Sequence, residues 1–129
     1  MFECNFIENE KNEVQDIFEQ ELKAYFNGNL FTFTVPVKMW GSEFQKEVWS
    51  KLQESSYGYT QTYSELAKTM GRPASHARAV GGACGANAHV IVIPCHRIVA
   101  TGSKGGFSCG LDRKEWLLEH EKKYIVAKI

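Results

Sequence analysis

The sequence predicts an α-rich fold with a minor extended component, on three observations. Apolar residues recur at helical spacing near both ends of the chain, and two helix-opening capping patterns stand twenty residues apart in its middle. Only two short stretches read as extended, and the first has no evident partner strand. At 129 residues the chain is long enough for one core and too short for two ordinary domains. Within it, residues 1–38 read as a short N-terminal segment carrying an amphipathic helix, and residues 39–129 as the main helical domain.

In the N-terminal segment, Val14, Ile17, Phe18, Leu22 and Phe26 fall on one helical face with acids between them, which predicts a helix from Glu8 to about Phe26. Asn27-Gly28-Asn29 ends it. From Leu30 to Val37, Phe31, Phe33, Val35 and Val37 alternate with Thr and Pro, a short extended piece in which Pro36 suits an edge position. Ser42-Glu43-Phe44-Gln45 is a capping box opening a helix to about Gln53, buried through Phe44, Val48, Trp49 and Leu52. Thr62-Tyr63-Ser64-Glu65 repeats the pattern and opens a second helix through Met70, closed by Gly71. Pro73 opens a third, since proline at a first helical position forfeits no hydrogen bond. Two short helices around a glycine-containing turn outline a helix-turn-helix. His89-Val90-Ile91-Val92-Ile93 reads as a buried extended run delivering the chain to Pro94-Cys95-His96-Arg97. Gly102, Gly105 and Gly106 mark a loop, and a last helix from about Asp112 to Lys123 turns Trp116, Leu117 and Leu118 inward.

The third helix is unusual in having almost no side-chain bulk, with Ala74, Ser75, Ala77, Ala79, Gly81, Gly82, Ala83 and Gly85. Glycine inside a helix costs about 1 kcal/mol, so two readings stand: tight packing in the core, or a face that another backbone approaches closely.

Composition bounds the function. No stretch nears the roughly 18 apolar residues of a membrane span, and the N-terminus has neither the basic start nor the apolar core of an export signal. A soluble intracellular protein of the cytoplasm or nucleus, with its four cysteines reduced, is expected. Formal net charge is zero, but residues 1 to 25 hold seven acids against two bases, and residues 60 to 114 seven bases against two acids. The basic half is where a polyanion would dock, if these are not simply two solvated faces.

Cys95 is the residue most able to do chemistry. Pro94 fixes its backbone, and His96 and Arg97 add positive character of the kind that lowers a thiol pKa, although an inert buried cysteine fits the local residues as well. Zinc is disfavoured, because Cys84, His89, Cys95, His96 and Cys109 show no ligand-pair spacing. A papain-like protease would need a longer chain and different residues around its nucleophile. No metal and no cofactor are expected.

Ile93-Pro94-Cys95-His96-Arg97-Ile98 closely resembles the acceptor motif of the 6-O-alkylguanine-DNA alkyltransferases, the methylated-DNA–protein-cysteine methyltransferase family. The likeness extends through Gly41 to Trp49, Tyr63 to Ala67, Arg78 to Ala83, Asn87 and Lys114 to Leu118, covering roughly residues 12 to 121. It implies a winged-helix-like helix-turn-helix domain of alkyltransferase type, lacking most of the family's usual N-terminal sheet domain. It implies suicide DNA repair: one alkyl group moves from the 6-oxygen of a flipped guanine to Cys95, once per molecule. His96 would be the base acting through a water, Glu121 the carboxylate orienting it, Asn87 the hinge, and Tyr63 the residue that crowds the phosphate and protonates the guanine ring. Arg78 would enter the base stack, with Ser75, Ala77, Gly81 and Arg97 also at the DNA. Ser108, Val99 and Phe107 would line the pocket, while Trp49 and Trp116 belong to the core. The implied partner is double-stranded DNA carrying 6-O-alkylguanine, held through its minor groove.

The sequence departs from the pattern at Cys109, where the family usually has Gly, at Phe107, often Tyr, and at Asn87-Ala88, usually Asn-Pro. The shortened N-terminus implies either a minimal form or a homodimer covering the exposed face. Two alternatives stay open: an alkyltransferase-like protein that flags lesions without transfer, and a helix-turn-helix regulator.

Overall fold

The computed structural model describes residues 13–101, 105–106 and 109–128. Among these residues five helices carry the fold: α1 (Glu13–Phe26), α2 (Glu43–Gln53), α3 (Tyr63–Thr69), α4 (Ala77–Gly85) and α5 (Leu111–Lys128). Two two-residue strands, β1 (Gln61–Thr62) and β2 (Ile98–Val99), pair in parallel with Gln61 opposite Ile98 and Thr62 opposite Val99. Among the described residues no helix is long and apolar enough to cross a membrane.

The capping chemistry places α2 and α3. Ser42 accepts from the Gln45 N–H while the Gln45 side chain accepts from the Ser42 N–H, and Thr62 and Glu65 do the same. Gly71 lies at φ +76°, the left-handed conformation that ends α3. A 3-10 turn, Ala74–His76, then leads from Pro73 into α4. The Trp49 indole donates to the Ala83 carbonyl at 2.9 Å, tying α4 to α2 across a core of Val48, Leu52, Leu66, Val80, Ile93 and Ile98.

A second cluster, built around Tyr25, Tyr57, Val90, Ile91 and Leu117, joins α1 to α5. Residues 30–37 are not a strand. Glu21 of α1 accepts from the N–H groups of Thr34 and Val35 and from the Thr34 hydroxyl, so a carboxylate satisfies the backbone that a neighbouring strand would have paired. The run 89–93 is buried from Val90 on, as expected, but turned, not extended. Ile93 N–H closes back on the His89 carbonyl at 2.8 Å, and Ile91 sits at φ 78°. A β-branched residue there costs of order 1–3 kcal/mol, and burial of Ile91 and Ile93 in the two separate clusters holds the turn in that state.

Trp116 corrects the sequence reading: it is 48% exposed and stacks on His120 at 4.9 Å. The buried face of α5 runs through Lys114, Leu117 and Glu121, and at about 100° per residue Trp116 lies off that stripe. Leu118 is partly buried, and Trp49 is core at 3% exposure.

Candidate active site

The turn 89–98 lies between the two clusters and carries Cys95 on a 3-10 turn, Cys95–Arg97. Cys95 is buried. The Asn87 amide donates to its Sγ at 3.2 Å and to the Ile93 carbonyl at 2.9 Å, while its oxygen accepts from the His89 N–H at 2.8 Å. One 2%-exposed side chain therefore links the end of α4, the 89–93 turn and the sulfur.

His96 is fully buried, and its Nε2 lies 2.6 Å from Glu121 Oε2. Burial alone would raise the Glu121 carboxyl, but hydrogen bonds and charges from His96 and Arg97 hold it well below the usual carboxylate range. An ionised Glu121 only accepts, so the proton between the two belongs to His96 Nε2, and Nδ1 of the neutral ring is a lone-pair acceptor. That Nδ1 is buried and has no hydrogen-bond partner among the described residues. Burial, opposed by Glu121, pushes the His96 pKa down, so the ring rests neutral.

Arg97 is not at a DNA surface. It is 6% exposed, donating from Nε to Glu121 Oε1 at 2.9 Å, from Nη2 to Oε2 at 3.1 Å, and from Nη1 to the Ser55 carbonyl at 3.0 Å. A guanidinium committed to a buried carboxylate cannot also meet a phosphate. Nor do the neighbours lower the Cys95 pKa on balance: burial pushes it up, against the Asn87 hydrogen bond and the Lys114 charge. The other free thiol among the described residues, Cys84, is pushed up to about 12 by burial and by Cys95. Cys109 is disulfide-bonded, which corrects the expectation of four reduced thiols.

Register brings Tyr63 to the same place. Thr62 pairs with Val99, half-buried on β2, and Tyr63 follows directly at the start of α3. The Tyr63 hydroxyl would stand 2.8 Å from a Cβ at Gly105, so only glycine fits there, at φ +75°. Burial raises the Tyr63 pKa and a backbone bond to Gly106 opposes it. Lys114, absent from the sequence-based site, is fully buried and donates to the carbonyls of Ile98 at 2.5 Å and Gly106 at 3.0 Å. It pins the strand leaving the thiol to the loop facing Tyr63. Its presence in a matched motif was the available signal; nothing in a lone lysine of a helix predicts burial. Ser108 and Phe107 lie outside the described residues.

The bulk-free helix has an open face. A Cβ at Gly82 or Gly85 would meet nothing within 4 Å, and one at Gly81 only the Tyr63 ring at 3.8 Å, so core packing does not explain these glycines. Ser75 and Arg78 are exposed and Ala77 partly so. The basic surplus is smaller than the sequence suggests, since Arg97 and Lys114 point inward and Arg72 pairs with Glu47 at 2.9 Å.

A helix-turn-helix with an open small-residue face, backed by a buried Asn, Cys, His and Glu series, defines a DNA-binding module that carries a nucleophile. Residues 43–123 match the family model described as 6-O-methylguanine DNA methyltransferase, DNA binding domain. The chain belongs to that family. It is 44% identical over 103 residues to the probable methylated-DNA–protein-cysteine methyltransferase of Acanthamoeba polyphaga mimivirus, covering 79% of this chain and 68% of the relative. With the methylated-DNA–protein-cysteine methyltransferase of Methanosarcina mazei it shares 44% identity over 123 residues, 92% of this chain and 77% of that protein. The crystal structure of Mycobacterium tuberculosis OGT in complex with DNA superposes with a TM-score of 0.82 at 40% identity, covering 85% of this chain and 68% of that one. The chain spans 65% to 68% of the length of several such relatives.

Proposed function

We propose that this chain repairs alkylated DNA directly, by moving an alkyl group from the 6-oxygen of guanine to Cys95. The observation that carries the reading is the buried series from Asn87 through Cys95 and His96 to Glu121, whose imidazole Nδ1 has no hydrogen-bond partner among the described residues and belongs to the residue that follows the thiol in the chain. His96 Nδ1 takes the thiol proton through a water, and Glu121 stabilises the imidazolium that results. The sulfur attacks the alkyl carbon as the carbon–oxygen bond breaks and a carbon–sulfur bond forms. The electron pair passes into the guanine ring, which Tyr63 protonates. The thioether is stable, so each molecule reacts once.

The target base has to leave the duplex to reach a buried sulfur, at a cost of a few kcal/mol. Ser75, Ala77, Arg78 and Gly81 lie on the open face of the recognition segment, where small residues let backbone settle into the minor groove and Arg78 fills the vacated stack. In this reading Val99 contacts the flipped base, and the family resemblance gives the same role to Ser108 and Phe107. Support comes from the family's description and from the relatives' names, and a relative solved with DNA supports DNA as the partner. A homodimer covering α1, where Val14 and Ile17 are 45% and 40% exposed, belongs to the same reading.

Intact-mass measurement after incubation with a duplex holding one 6-O-methylguanine tests it. One methyl group gained by the wild type and none by Cys95→Ser is expected. Tight lesion binding with no mass change would replace transfer with lesion flagging.

A further inference from the structure

The Glu121 carboxylate receives more donors than the proposed proton path uses, and one comes from outside the family-matched span. Oε1 accepts from Arg97 Nε and the Gly58 N–H, at 2.9 and 3.1 Å. Oε2 accepts from His96 Nε2, Arg97 Nη2 and the Tyr25 hydroxyl, at 2.6, 3.1 and 2.8 Å. Tyr25 lies on α1, while the family match begins at residue 43, and it bonds the same oxygen as His96 across 96 positions of chain.

The contact is built in. Tyr25 is 1% exposed, its ring packs edge-on against Phe26 and Tyr57, and its carbonyl is bonded to His120 Nε2 at 2.7 Å. Burial, reinforced by the neighbouring Glu121 charge, pushes the phenol far above its ordinary range. The hydroxyl is therefore a permanent donor and never an acceptor of the carboxylate's proton.

Donors on one oxygen compete for its charge. The more of the Oε2 charge Tyr25 takes up, the less remains to stabilise a protonated His96. We propose that Tyr25 is a positioning residue for the Cys95 reaction, which through Glu121 Oε2 keeps His96 weakly basic and thus neutral, ready to accept the thiol proton. This rests on the alkyl-transfer reading. Among the described residues, the other charged or titratable groups acting on the pair are Arg97 on the same turn, Lys114 on α5, and Tyr57 after α2. All stay in place when only the Tyr25 hydroxyl is changed.

The test uses the full chain, with single-turnover methyl transfer followed against pH and melting temperature recorded beside it. In Tyr25→Phe, Glu121 holds the imidazolium more strongly, so the acid limb of the rate profile should move up by about half a pH unit or more. The His96 midpoint read by imidazole NMR should move the same way. With 3-fluorotyrosine at position 25, a stronger donor that keeps the ring and hydroxyl, both should move down, and this arm serves if Tyr25→Phe does not fold. A transferring wild type whose midpoints neither substitution moves, even with a lowered melting temperature, overturns the Tyr25 role alone. A wild type that transfers no methyl group overturns the functional reading and this use of Tyr25 with it.

Discussion

Arg97→Leu separates an interior guanidinium from one at a DNA surface. The substitution removes four hydrogen bonds, two to Glu121 and two to Ser55, and leaves a shorter apolar side chain beside Tyr57. Removing one member of a buried ion pair costs about 3–5 kcal/mol, because the other charge is left under-compensated. Glu121 keeps His96, Tyr25 and the Gly58 N–H, which places the loss near the lower end, about 3 kcal/mol. Equilibrium urea unfolding at pH 7 reads it directly, and a chain of this size should lose roughly 10 °C of melting temperature. DNA affinity against salt, measured where the variant is folded, supplies the second axis. Each lost phosphate contact lowers that slope by about 0.9, and none should be lost. A variant within about 1 kcal/mol of wild type whose salt slope falls by about 0.9 would refute the interior placement.

Asn87→Ala should cost about 2–3 kcal/mol, since it strands the buried Ile93 carbonyl and the His89 N–H. It should also slow transfer at neutral pH with partial recovery at alkaline pH, because the Cys95 thiol loses the donor that lowers its pKa; stopped-flow transfer rates against pH check this. Gly82→Ala should stabilise the free protein by about 0.5–1 kcal/mol, as its Cβ meets nothing, whereas Gly82→Leu should leave urea stability near wild type and weaken DNA binding at least about tenfold. Acid should destabilise in two stages. His96 and Glu121 both have folded pKa values below their unfolded ones, so each contributes stability that is complete above the unfolded value and lost as pH falls toward the folded one. Urea midpoints should drop first below about 6.5, through His96, and again below about 4.5, through Glu121, and in Arg97→Leu the second decline should be smaller and end at higher pH.

Local chemistry was legible in the sequence. The capping boxes at Ser42 and Thr62 span three residues, and their bonds form wherever the chain enters a helix, so tertiary surroundings are not needed to read them. The acceptor motif, Asn87 and Glu121 came from likeness to a family, and the fold brings Asn87 to the sulfur and Glu121 to His96. Where sequence reasoning went astray, the side chain could go either way. Arg97 reads as a surface cation until Glu121, 24 residues on, is seen to take it, and Trp116 reads as core until the stripe of α5 passes beside it.

The sequence by itself determined the helix starts, the turn at Gly71 and the family, because these rest on bonds between near neighbours or on a contiguous motif. Only the tertiary structure decided that the glycines of α4 face outward, that Lys114 is buried beneath the loop facing Tyr63, and that Tyr25 reaches the carboxylate behind His96. Those depend on which groups from distant parts of the chain are desolvated together. A charge or hydroxyl buried by packing must find whatever partner the fold puts within about 3 Å, and no local pattern encodes that partner.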